Sequence, residues 1–291
     1  VAFARLLRAS AFALAAPLCV SCPGTKPKEA AMAHAPVRIA FLHHSTGEAV
    51  WKGGLAPFFE AWNARNGTDY RITEQNYPMA KGNHPRIGAL LPARVFNAIF
   101  RDHYPWENNP YDYWNLWVAH RGQDRDRSEA NLDDLARDFD VIVFKHCFPV
   151  SSVADDDGAP SASSRRRTLA NYKLQYEALK ARMREFPRTT FIVWTGPALT
   201  ESATRPGDAE RAQRFAAWVK DTWDEKGDNI FVWDFRELET DGGPYLKPGR
   251  SVSAGDSHPS EDFAKRVAPL LGRRIVDVIE GRGDTSSLTG F

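Results

Sequence analysis

The sequence predicts an α/β fold built on a mostly parallel sheet, and three observations carry the prediction. Short, continuous apolar runs recur along the chain, as in strands buried on both faces. Between the later runs, apolar residues fall three or four apart, the spacing of one helix face. Strand and helix patterns alternate, which is the order of βα units. With 291 residues, 43% hydrophobic and 26% charged, the chain is long and apolar enough for one large core.

The elements follow in order. Val37-Arg38-Ile39-Ala40-Phe41-Leu42 is short and mostly apolar and reads as a buried strand. Tyr70-Arg71-Ile72-Thr73-Glu74 alternates and reads as a second. Val141–Phe144, Thr190–Trp194 and Ile230–Trp233 are continuous apolar runs and read as the third, fourth and fifth. Leu169, Tyr172, Tyr176, Leu179, Met183 and Phe186 mark one helix face; Phe215, Trp218, Val219 and Trp223 mark another. Phe263, Val267, Leu270, Leu271 and Ile275 mark the last, with Ser260 as its N-cap and Glu261 and Asp262 in its first turn. From about Asn76 to Asp133 the chain is rich in Pro, Asn, Trp and Tyr with weak periodicity, the mark of a long functional loop or an insertion. Gly281–Phe291 is rich in Gly and Ser and reads as a frayed tail.

The first residues do not read as fold. Arg5 and Arg8 precede an uncharged stretch from Ala9 to Val20, and no acid occurs before Glu29. That is the order of a secretory signal, and the stretch is shorter than the roughly 20 residues of a membrane span. Small residues before Cys22 give residues 1–22 the form of a lipoprotein signal, with Cys22 as the lipidated residue. Simple secretion and an ordinary tail are the alternatives. Residues 23–36 are rich in Ala, Lys and Pro and read as a tether. The expectation is an exported protein, lipid-anchored in a bacterial cell envelope and touching membrane only through that anchor. Outside the signal Cys147 stands alone, so it has no internal disulfide partner, and it reads as a small buried residue at a strand end.

A formal net charge of +1 gives no field toward nucleic acid or anionic membrane, and no basic stripe with interleaved aromatics occurs. Nucleic acid is therefore not an expected partner.

The chemistry gathers at two places. The first strand runs into His43-His44-Ser45-Thr46-Gly47. Ligands of parallel α/β sheets bind beyond the carboxyl ends of strands, which is where Ser45 falls. The bland reading of Ser45 is a helix cap. Gly255-Asp256-Ser257-His258-Pro259-Ser260 precedes the last helix and supplies an imidazole with a neighbouring carboxylate. A serine nucleophile needs a base to take its proton, and the base needs a partner to fix its tautomer. Ser257 sits in a Gly-Asp-Ser string but follows no strand, so it is set aside as nucleophile.

A strand ending on a Ser motif, with a late Asp and a His-Pro before the terminal helix, resembles the SGNH (GDSL-like) hydrolase superfamily from Val37 to about Ile279. The resemblance implies a three-layer α/β/α domain over 37–280, with about five mostly parallel strands in flavodoxin-like winding. It implies an ester hydrolase, an esterase or deacetylase, with Ser45 as nucleophile and His258 as base, and no cofactor. The family's first block reads Gly-Asp-Ser, here His43-His44-Ser45, and its acid stands three residues before the His, here Gly255. The nearest acid is Asp256, so the site is a shifted triad or a dyad. Its oxyanion donors map onto Gly82, in Asn76–Gly82 after the second strand, and onto His146 or Lys145 after the third. His44 either bonds the loop or substrate, or is a structural polar residue. The rings of Tyr104, Trp106, Tyr111, Tyr113, Trp114 and Trp117 form either a carbohydrate groove or a satellite core. The expected partner is a small-molecule or glycan ester, with an O-acetylated carbohydrate as the substrate guess. Two alternatives remain: a non-catalytic glycan-binding envelope lipoprotein, and a metal-dependent hydrolase using His43, His44, His146, Asp256 and His258. No local metal-ligand spacing favours the latter.

Overall fold

A computed structural model describes residues 35–78, 107–120 and 129–291, and Ala33–Phe291 forms one compact unit. The signal, most of the tether, Cys22, Gly82, Tyr104 and Trp106 lie outside the described residues. Strand β1 (Val37–His43) is followed by α1 (Thr46–Val50), a π turn (Trp51–Leu55), α2 (Ala56–Asn66) and β2 (Tyr70–Asn76). Short helices α3 (Pro110–Tyr113) and α4 (Leu132–Asp138) precede β3 (Val141–Phe144). Then come α5 (Leu169–Arg184), β4 (Thr190–Trp194), α6 (Pro206–Trp218), β5 (Ile230–Trp233) and α7 (Phe235–Thr240). A small hairpin, β6 (Ser251–Ser253) and β7 (Asp256–Pro259), leads into α8 (Glu261–Ile279).

The five long strands form one sheet in the order β2-β1-β3-β4-β5, with every pairing parallel. This is the flavodoxin-like order, whose switch point lies between β1 and β3. Period-two alternation divides the core. Ala40, Leu42, Ile142, Phe144, Phe191 and Val193 face Tyr176, Leu179 and Met183 of α5 and Phe215 of α6. Ile39, Phe41, Val141, Val143, Ile192 and Trp194 face Phe263, Val267, Leu271 and Ile275 of α8. The α/β fold with a parallel sheet expected from the strand and helix patterns is the observed one, and its layers have the three-layer α/β/α arrangement.

Two expectations are corrected. Tyr113, Leu116 and Trp117 pack into the main core beside Phe144 and Met183, so among the described aromatics of the insertion these form neither an open groove nor a separate satellite core. The short helix that carries Tyr113 is held by a capping box between Asn109 and Asp112. The tail is packed rather than frayed. Leu288 O accepts from the Asp234 N–H (2.9 Å), Thr289 O accepts from Trp233 Nε1 (3.1 Å), and the buried Arg274 guanidinium donates to Gly283 O (2.6 Å) and Ser286 Oγ (2.8 Å). Gly and Ser there supply turns and acceptors that satisfy β5 and α8.

Candidate active site

Ser45 and Cys147 stand just past the carboxyl ends of β1 and β3, on the two sides of the switch point. The fold brings Ser45 Oγ to 3.1 Å from Cys147 Sγ. Ser45 has φ 30° and ψ −85°, a backbone conformation that costs an L-residue on the order of 1–3 kcal/mol and occurs preferentially at functional sites. The turn is held from several sides. Gly47 N–H donates to His44 O (2.8 Å) and Ala49 N–H to Ser45 O (3.0 Å). Lys145, fully buried, donates from Nζ to the same His44 O at 3.1 Å. Burial pushes this ammonium below its ordinary range. Gly47 is required by close approach: a Cβ there would lie 2.4 Å from His43 Cβ. Among the described residues the Ser45 N–H donates to no acceptor, which leaves it open to a developing oxyanion.

The second half comes from the hairpin. Asp256 Oδ1 lies 2.6 Å from His258 Nδ1 and also accepts the His258 N–H at 3.0 Å. Both hydrogen bonds hold the Asp256 carboxyl below its usual range, the backbone one most. The spacing of two residues works because alternate residues of β7 share a face, so the acid two before the His reaches Nδ1 directly. Ser257 points the other way. It is buried, and its Oγ accepts the Thr200 N–H at 3.0 Å.

The two halves adjoin. β7 packs against α1, and the Phe148 ring, next in chain to Cys147, meets the His258 ring edge-on at 4.9 Å. Ser45 Oγ has Cys147 Sγ as its partner, and His258 Nε2 has none among the described residues.

The remaining expected residues are placed differently. His146 is not at the site. Along the exit of β3, Ile142, Phe144 and His146 share the α5 face, whereas Lys145 and Cys147 take the other. His146 is buried edge-on to Tyr113 (4.7 Å) and near Tyr176 (5.6 Å), with no partner for either ring nitrogen among the described residues. Burial lowers its imidazole to about 3, with the Lys145 charge adding to the effect. The oxyanion-donor role expected of His146 therefore fails on geometry, and the strand end offers Cys147 instead. Cys147 is only partly buried and touches Ser45, so it is not the fully buried residue expected at the strand end. His44 Nε2 bonds the Pro78 carbonyl, and burial lowers its imidazole. His43 Nε2 bonds Glu74 Oε2 at 3.0 Å, and its buried ring is lowered to about 3. The four histidines therefore diverge, and among the described residues no cluster of three metal-ligating side chains forms.

Lys145, the other candidate donor after the third strand, is buried and donates from its ammonium to the His44 carbonyl. One supporting residue carried no sequence signal: Asn108 lies in the aperiodic stretch. Asn108, at φ 57°, accepts the Cys147 N–H on its carbonyl (2.8 Å) and donates from Nδ2 to Tyr77 O (2.9 Å). It sets the position of the thiol. No protein-family model matches this chain, and no curated protein sequence matches it.

Proposed function

We propose that this protein is a serine esterase of the SGNH-like type, acting through Ser45, His258 and Asp256. The observation that carries the reading is the Asp256–His258 pair at 2.6 Å, held beside the turn of a conformationally strained serine at the sheet's switch point. Ser45 Oγ leaves Cys147 Sγ by a rotation about χ1 and donates its proton to His258 Nε2 as it attacks an ester carbonyl. Asp256 accepts from Nδ1–H, fixes the tautomer and stabilises the imidazolium. The Ser45 N–H donates to the oxyanion. His258 then returns the proton to the leaving alcohol, and water repeats the sequence on the acyl-enzyme. Gly82 remains a proposed second donor. The strand order 2-1-3-4-5, the helix α8 directly after His-Pro and the Ser45 turn after β1 are the features that support the SGNH-like type. A Cys22 lipid anchor at a cell envelope belongs to the same proposal.

The test is hydrolysis of 4-nitrophenyl acetate by the full chain. Ser45→Ala and His258→Ala are expected to lose at least about 10³-fold in kcat, and Asp256→Asn about 10²–10⁴-fold. A folded Ser45→Ala protein as active as wild type overturns the assignment.

A further inference from the structure

One cleft among the described residues is lined by neither Ser45 nor His258. It is an open cleft of about 880 Å³ between the loop Gly243–Gly249, the turn after β4 at Thr200–Ser202, and strand β6. We propose that this cleft binds a neutral oligosaccharide, the alcohol half of the ester in the reading above, and so rests on that reading for its chemistry.

Four observations lead there. The first is rigidity. The loop backbone is tied down from beneath: Leu246 N–H donates to Leu199 O (2.9 Å), Lys247 N–H to Glu239 O (3.0 Å), and the buried Arg236 donates to Pro244 O (2.8 Å). A preformed cleft loses little entropy on binding. The second is unspent polarity. Among the described residues the side chains of Glu201, Tyr245, Lys247, Ser251 and Ser253 have no hydrogen-bond or ion-pair partner, although they line one cleft. Together they supply donors, acceptors and groups that act as both, the mixture that ring hydroxyls require. One acid and one ammonium balance, which suits an uncharged ligand better than a polyanion. The third is flat apolar wall: the Tyr245 ring, Pro244, Pro248 and Val252, the last 60% exposed, give C–H faces of a sugar something to pack on. The volume is near the upper end of the roughly 300–1,000 Å³ of small-molecule sites, so it fits a short chain rather than a single ring. A fatty acyl chain would instead call for an enclosed apolar tunnel.

The fourth observation joins the cleft to the chemistry. In the hairpin, Ser253 pairs directly with Asp256, beyond an irregularity in register between Ser251 and Ser253. Paired residues of antiparallel strands put their side chains on the same face, about 5 Å apart. Asp256 and His258 share that face. A saccharide held at the Ser253 end of the cleft therefore lies beside the acid that orients the base.

Binding is tested apart from turnover, in the Ser45→Ala full-length protein, by calorimetric titration with neutral tetrasaccharides of β-1,4-linked glucose, xylose and N-acetylglucosamine. At least one is expected to bind, and Tyr245→Ala is expected to weaken it tenfold or more. Val252→Asp, on an exposed strand position where folding is not at stake, is expected to weaken it severalfold. Binding by none of the three, or binding untouched by both changes, overturns the inference, as does competition for the cleft by an extended peptide alone. Wild-type hydrolysis of 4-nitrophenyl acetate is followed in parallel. An inert wild type that binds saccharide sinks the esterase and keeps the cleft; an active one that binds none does the reverse.

Discussion

Replacing His146 by Phe separates two roles for this residue, oxyanion donor and buried core ring. In the folded chain the ring is sealed among Tyr113, Phe144 and Tyr176, and its imidazole is lowered to about 3, chiefly by burial. In the unfolded chain an imidazole titrates near about 6.5. The folded value lies below the unfolded one, so between these limits the unfolded chain binds the extra proton. Stability contributed by neutral His146 is complete above about pH 6.5 and is lost as pH falls toward 3. At pH 5 the unfolded ring is favoured by about 1.5 units, or about 2 kcal/mol, and at pH 7.5 by almost nothing. Phe does not titrate, and whatever its extra volume costs in packing is the same at both pH values. The difference between pH values thus isolates the proton. Urea unfolding of both proteins at pH 7.5 and 5.0 is expected to show wild type losing about 2 kcal/mol more than His146→Phe on acidification. His43, buried in both, contributes equally and cancels. Hydrolysis at pH 7.5 is expected to stay within about threefold. Equal acid losses would refute the sealed environment. A hundredfold loss of hydrolysis in a folded variant would refute the removal of His146 from the site.

Further outcomes follow from the same geometry. Gly47→Ala inserts a Cβ 2.4 Å from that of His43 and 3.1 Å from Lys145 Cδ, and is expected to cost about 1–3 kcal/mol in urea unfolding while displacing Ser45 and lowering kcat. Ser257→Ala leaves the Thr200 N–H without its acceptor and is expected to cost about 1–3 kcal/mol with hydrolysis retained; loss of hydrolysis at full stability would make Ser257 a nucleophile candidate after all. Iodoacetamide is expected to inactivate wild type by adding bulk 3.1 Å from Ser45 Oγ, and to leave the rate of Cys147→Ala as it finds it; equal sensitivity of both would place the reactive group elsewhere.

The legible part of the fold was the part with a period. β1, β3, β4 and β5 are apolar runs, and α5, α6 and α8 carry one clear face each. Of the candidate site, the place of Ser45 in the fold was legible because it closely follows an apolar strand, and the Asp256–His258 contact because the two lie only two residues apart. What failed was phase. A strand buried on both faces has no polar alternation, so Val141–Phe144 does not announce which way Lys145, His146 and Cys147 turn. One residue of phase exchanges His146 for Cys147 at the site. The hairpin of β6 and β7, three and four residues long, is too short to show a pattern. Tyr113 and Trp117 entered the main core from a four-residue helix and a π turn, which share no single period.

Strand β1 is an interior strand seven residues long, so about 20 Å separate its amino end from the turn that carries Ser45. Any segment joined at Ala35 is joined at the far end of the sheet from the candidate chemistry. A label or linker attached at Ala35 therefore stands apart from the Ser45 turn by about the length of the strand.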